Sequence, residues 1–259
     1  MQLTDSEKLC EQMLDASPKQ RSRHHLRSAL NHIRRAETLL EIDRPMTMFR
    51  SLTAIEEAAS GIILCLREKG YDRSEKLKWK NHLHKNAFIP FFKVLGDSVE
   101  KHLLKNGVDI DITVREIDGK KMQLVEMTFK TEDGPLSLIP LPPLNSKIEV
   151  QGSVISFDEE MKGYAEKVGT DSVLNHVKRL MNWRNEVLYA GTKGYVSDVD
   201  SNQTANLLTE AKRWVFVQMR LYLMIQPYPP QAFVQHALDA LLEMLNTPKL
   251  VAAFEEPEA

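Results

Sequence analysis

The chain has 259 residues and a mass of 29.7 kDa, with 34 Lys+Arg against 36 Asp+Glu and a formal net charge of −2. Hydrophobic residues at 42 % and charged residues at 27 % are the make-up of a soluble globular protein with ample chain for its own core. The apolar run Ile62–Leu66 is far too short for a membrane span, and Met1–Glu7 lacks a basic segment followed by an apolar one. Two cysteines, Cys10 and Cys65, are too few for a disulfide framework or a cysteine zinc site. The expectation is a cytoplasmic protein with no membrane association, no cofactor and no metal.

Thr4-Asp5-Ser6-Glu7 reads as a capping box that opens a short helix ended by Pro18. A second helix is predicted from about Lys19 to Ile42, with Leu26, Leu30, Ile33 and Leu40 at helical spacing, and Pro45 punctuates the chain after it. The third helix carries Met48, Leu52, Ile55, Ala59, Ile62 and Leu66 at alternating intervals, and Gly70 stands where a carboxyl-terminal cap belongs. Two long helices joined by a short turn make an antiparallel hairpin. Another helix is expected over about Pro90 to Lys105, closed by Asn106-Gly107.

The period then changes. Val108, Ile110, Ile112 and Val114 alternate with polar residues, Asp118-Gly119 marks a hairpin turn, and Val125, Met127 and Phe129 return. Ile148, Val150, Val154 and Ile155 suggest one or two further short strands after a proline-rich loop. Helix resumes at about Asp158, with a long helix over Asp171–Ala190, another over Gln203–Gln226 and a last one over Gln231–Asn246. The fold class is therefore mainly α, an antiparallel helical bundle with a small β-rich insertion. Its divisions are an amino-terminal helical half (1–106), the insertion (107–157), a carboxyl-terminal helical half (158–250) and an acidic tail (251–259).

The near-neutral total hides an asymmetry. Lys19 to Lys93 carry 16 basic and 8 acidic residues, and five of the eight histidines fall there. Arg21, Arg23, Arg27, Arg34 and Arg35, with His24, His25 and His32, have no acid among them. Such a run is either a phosphate-binding patch or a solvated helix face. Asn81-His82-Leu83-His84-Lys85 adds two imidazoles beside Lys80 and Lys85, whose charge would hold an imidazole neutral and suited to act as a base.

The segment with most chemical content is Leu180 to Tyr189. On a helix Arg184 has Leu180, Met181, Val187 and Leu188 as its neighbours, and a guanidinium in an apolar stripe needs an anion or a carboxylate opposite it. Arg184-Asn185 followed by an aromatic at the fifth position after the arginine resembles the Arg-Asn-x-x-x-His signature of HEPN domains. Ala54-Ile55-Glu56-Glu57-Ala58-Ala59 is similar to the Ala-Leu-Glu-Glu segment of the AbiV-type abortive-infection branch, and His84-Lys85 follows it as a His-Lys pair does there.

The resemblance implies an all-α bundle, commonly a homodimer, acting as a metal-independent endoribonuclease in antiviral defence as a toxin, with RNA as its target and an antitoxin or phage-derived trigger as a further partner. It implies that Arg184 supplies charge to the phosphate, that Asn185 holds a phosphate oxygen or the ring partner, and that Glu57 orients the arginine or acts as a base. By their charge, Lys85 and the arginine run are the candidate RNA contacts. Tyr189 stands where the family has histidine. With an ordinary pKa near 10, a tyrosine is a poor base at neutral pH, so His84 is a candidate substitute. A module that binds RNA or nucleotide without turnover, or a regulatory adaptor whose insertion pairs with a partner strand, remains open beside the enzyme.

Overall fold

The chain is described by a computed structural model covering residues 3–145, 149–150, 153–154 and 199–246. The first helix, α1 (Asp5–Ala16), opens on a full capping box. Glu7 N–H donates to the Thr4 hydroxyl at 3.2 Å, and the Glu7 carboxylate accepts the Thr4 N–H at 2.9 Å. The next helix, α2 (Arg21–Leu39), has no side-chain cap from its own Gln20. Glu68, at the end of α3 (Arg44–Glu68), supplies one instead, accepting the Ser22 N–H at 3.1 Å and the Ser22 hydroxyl. The far end of one helix thereby satisfies one of the orphan N–H donors of the other and ties the hairpin together.

Pro45 lies inside α3 rather than before it. Asp43 accepts the Met46 N–H at 2.9 Å as the capping residue, so Pro45 falls in the first turn, where no intrahelical acceptor waits for an N–H. After Glu68 the chain turns through Gly70 at φ +74°, the left-handed conformation expected of a helix-ending glycine. Along the α2–α3 contact, Leu26, Ala29, Leu30 and Ile33 are fully buried, as are Ala58, Ala59 and Ile63. Gly61 marks the closest approach: a Cβ there would lie 2.8 Å from Leu26 Cγ and 3.0 Å from the Ser22 carbonyl oxygen. Cys10 and Cys65 are buried thiols not joined in a disulfide, and burial pushes the Cys10 thiol up to about 12.

Two compact units form, neither continuous in sequence. One comprises Met1–Glu68, Lys78–Phe88 and Leu174–Tyr222; the other Lys69–Leu77, Ile89–Val173 and Leu223–Ala259. This partition cuts across the sequential one, because each unit draws on both helical halves. In the first unit a five-residue helix, α4 (His82–Asn86), packs on α3, and the long α6 (Ser201–Ile225), which belongs to this unit up to Tyr222, reaches α1 and the residue after it through side chains. Lys212 meets Glu7 at 3.3 Å, Arg220 donates to Ser6 at 2.9 Å, and the fully buried Tyr222 meets Ser17 at 3.4 Å.

The second unit contains α5 (Phe88–His102) beyond its first residue, the strands and α7 (Ala232–Leu245). The strands β1 (Val108–Ile117), β2 (Lys120–Thr131) and β3 (Gly134–Leu138) form one antiparallel sheet in that order. Asp118 and Gly119, both at positive φ, make the tight β1–β2 turn that their sequence predicts. The short pair β4 (Glu149–Val150) and β5 (Ser153–Val154) also falls within the expected insertion. Leu124 is buried, whereas Ile112, Val114, Leu136 and Leu138 are exposed.

The proline-rich loop caps α7, whose Gln231 gives no side-chain cap. The Leu144 carbonyl accepts the Phe233 N–H, and Asn145 Oδ1 accepts the Ala232 N–H. Gln231 itself is buried and ties the loop to Tyr71 and to the Met224 carbonyl. The described fold is thus mainly helical with a small β-rich insertion. The helices expected from Asp158 and over Asp171–Ala190, and the acidic tail, lie outside the described residues.

Candidate functional site

Adjacent positions on a helix point about 100° apart, so two consecutive glutamates serve two different neighbours. Glu56 faces α4 and Glu57 faces α2. The Glu56 side chain is only 6 % exposed and accepts three hydrogen bonds: His82 Nδ1 at 2.8 Å, Lys85 Nζ at 2.9 Å and Asn86 Nδ2 at 3.2 Å. These donors occupy positions i, i+3 and i+4 of α4, one face of a single turn. Asn81 accepts the His84 N–H at 3.3 Å and so starts that turn. The Ser60 hydroxyl has two carbonyl oxygens within reach of its single proton, those of Glu56 at 2.9 Å and Trp79 at 3.1 Å.

Burial alone would push the Glu56 carboxyl up, but the His82 hydrogen bond and the Lys85 ammonium overcome this and hold it at about 2. A carboxylate with its oxygens so occupied anchors α4 and has little capacity for proton transfer.

Glu57 is placed differently. Its Oε2 lies 2.9 Å from His25 Nδ1, and both side chains remain partly open to solvent. Burial opposes its ionisation; the His25 hydrogen bond, the His25 charge and the Ser28 hydrogen bond outweigh it and hold the carboxyl below its ordinary value. On α2, Arg21, His25, Ser28, His32 and Arg35 recur at intervals of four and three, which makes one continuous stripe about 20 Å long.

Trp79 closes one end of that stripe. Its ring meets His25 edge-on at 5.4 Å, Arg21 lies 4.2 Å over it, and Lys80 lies 5.1 Å from its centroid. Further along, burial, then Arg50 and Arg35, hold the His32 imidazole below its usual pKa against the pull of Glu57. His32 Nδ1 and Arg50 Nε are buried polar atoms without a hydrogen-bond partner among the described residues.

The other expected site residues separate. His84 does not join the Glu56 cluster: its Nδ1 accepts the Lys78 N–H at 3.0 Å, and His82 takes the place beside Lys85. His84 is held below its usual pKa, first by burial and then by the charge of Lys78 rather than that of Lys80 or Lys85. Lys85 is buried on Glu56. Of the arginine run, three members meet acids from α1. Arg27 lies 2.8 Å from Glu11 and 3.1 Å from Asp15, Arg34 lies 2.5 Å from Glu11, and Arg23 lies 3.6 Å from Asp15. Arg21 and Arg35 are exposed on the stripe that faces α3. Arg184, Asn185 and Tyr189 lie outside the described residues.

The sequence reading missed the pairing of His25 with Glu57. Its signal was the four-three spacing from Arg21 to Arg35, a polar stripe beside the apolar one of Leu26, Leu30 and Ile33. Among the described residues, no group of three or more His, Cys, Asp or Glu side chains is arranged to hold a metal ion, and no helix is long and apolar enough to cross a membrane. No family model, no curated protein and no solved structure matches the chain.

Proposed function

We propose that the chain is a HEPN-type, RNA-directed defence protein that acts as a metal-independent endoribonuclease in abortive phage infection. One observation carries this reading: an ionised, half-buried carboxylate (Glu57) holds an imidazole (His25) on a helix face lined with Arg21, His32 and Arg35. RNA scission needs a base for the 2′-hydroxyl and positive charge for the phosphorane, and this face supplies both kinds of group. The motif residues Arg184 and Asn185 add a bidentate phosphate contact in this reading. Function as a homodimer in the cytoplasm, restrained by an antitoxin or released by a phage-derived trigger, belongs to the same proposal.

The test is direct. Total RNA incubated in chelator should be cut by the wild type and left whole by Arg184→Ala, and overexpression of the wild type alone should arrest growth. Intact RNA in both lanes sinks the nuclease. Tyr189 at the histidine position favours a second reading, an RNA- or nucleotide-binding module without turnover. Under it the same gel shows no products, while RNA affinity falls steeply with salt.

A further inference from the structure

The general base that Tyr189 does not supply has a counterpart on α2. Glu57 Oε2 sits 2.9 Å from His25 Nδ1, and Glu57 is itself fixed by Ser28. A carboxylate on Nδ1 selects the tautomer that carries its proton there and leaves Nε2 with a lone pair, the arrangement a proton acceptor needs. The imidazole is 17 % exposed, so it is neither sealed in the core nor free to rotate in solvent. Trp79 and the imidazole meet in a T-shaped arrangement, and Arg21, stacked on Trp79, places a guanidinium beside the same surface.

The other histidines fit less well. His82 is committed to the buried Glu56 cluster, and His84 gives Nδ1 to a backbone N–H with no carboxylate behind it. His32 Nδ1 has no hydrogen-bond partner among the described residues, and the ring lies in the field of Arg50 and Arg35.

We propose that His25 is the catalytic base of RNA scission, with Glu57 as its positioning residue. This rests on the nuclease reading above. The 2′-hydroxyl gives its proton to His25 Nε2 as O2′ forms a bond to phosphorus. The bond from phosphorus to O5′ breaks, O5′ leaves with the electron pair and takes a proton from water, and the imidazolium returns its proton to solvent. The products are a 2′,3′-cyclic phosphate and a 5′-hydroxyl, with no change of oxidation state and no co-reactant.

The test uses the full chain and a labelled single-stranded oligoribonucleotide in chelator. Relative to wild type, His25→Gln and His25→Ala should lose 100-fold or more in rate while keeping wild-type helical content and a cooperative melt. Added imidazole should restore His25→Ala in part. Glu57→Gln should lose less, and the double variant with His25→Gln should be no slower than His25→Gln alone, because Glu57 acts only through the ring.

Near-wild-type cleavage by either folded His25 variant, or no imidazole rescue of a folded His25→Ala, overturns the His25 assignment and leaves the nuclease standing. A wild type that cuts nothing overturns both. Nitrogen-15 spectra of the unaltered protein give a check that no variant can confound: the neutral His25 ring should carry its proton on Nδ1, and the opposite tautomer overturns the assignment.

Discussion

Lys85 Nζ lies 2.9 Å from Glu56 Oε2 with both side chains less than 10 % exposed, so neither charge has water to fall back on. Removing one partner strands the other in a low-dielectric site, at a cost of roughly 3–5 kcal/mol. Glu56→Gln should therefore destabilise the protein strongly, and so should Lys85→Met. The double variant should be less damaged than the two singles added together. Chemical denaturation of the four proteins measures the coupling, and strict additivity would show that the pair is not energetically linked.

The same carboxylate sets an acid limit on stability. Its folded pKa of about 2 lies below the unfolded value of 4.5, so the unfolded chain binds the proton first as pH falls. The contribution is complete above pH 4.5, shrinks between 4.5 and about 2, and is gone below that. It is on the order of 3 kcal/mol when complete. The stability gap between wild type and Glu56→Gln should narrow as pH is lowered through this window. A gap constant from pH 6 to pH 2.5 would contradict the assignment.

His84 works in a different range. Its Nδ1 accepts the Lys78 N–H, and burial with the nearby Lys78 charge keeps the folded imidazole neutral below its ordinary pKa of 6.5. The unfolded ring takes up its proton first, so this contribution is present above pH 6.5 and is lost as pH falls through the lower folded value. His84→Ala should unfold at lower denaturant than wild type at pH 8 and should lose less stability on going to pH 5.5. Parallel pH slopes for the two proteins would rule this out.

Local signals were readable in the sequence wherever chemistry and partner lie close together along the chain. The Thr4–Glu7 box, the Asp118-Gly119 turn and the cap at Gly70 each involve residues within a few positions. The site was harder to read because its partners come from other elements. Two adjacent glutamates look alike until the position of α4 decides that Glu56 is the buried one and Glu57 the one beside α2. His82 and His84 stand two residues apart in a one-turn helix, so only one of them can share a face with Lys85. The arginine run contains no acid of its own, yet Glu11 and Asp15 reach Arg23, Arg27 and Arg34 from α1. A charge pattern along one segment does not reveal a countercharge carried by another helix.

Two glycines within helices should respond to alanine in opposite directions. Gly96 lies in α5, is exposed, and has nothing within 4 Å of an added Cβ. There alanine only removes backbone freedom from the unfolded chain, and Gly96→Ala should stabilise by about 0.5–1 kcal/mol. Gly61 gains the same helix propensity, but its new methyl would sit 2.8 Å from Leu26 Cγ and 3.0 Å from the Ser22 carbonyl oxygen. Backbone on one side and a fully buried leucine on the other leave it no room, so α2 must move away from α3. That movement also loosens the Ser22–Glu68 cap and should outweigh the propensity gain, with overpacking typically costing about 1–3 kcal/mol. Denaturant midpoints for both variants decide the matter: a Gly61→Ala protein as stable as Gly96→Ala would mean that the two helices do not pack as closely as described.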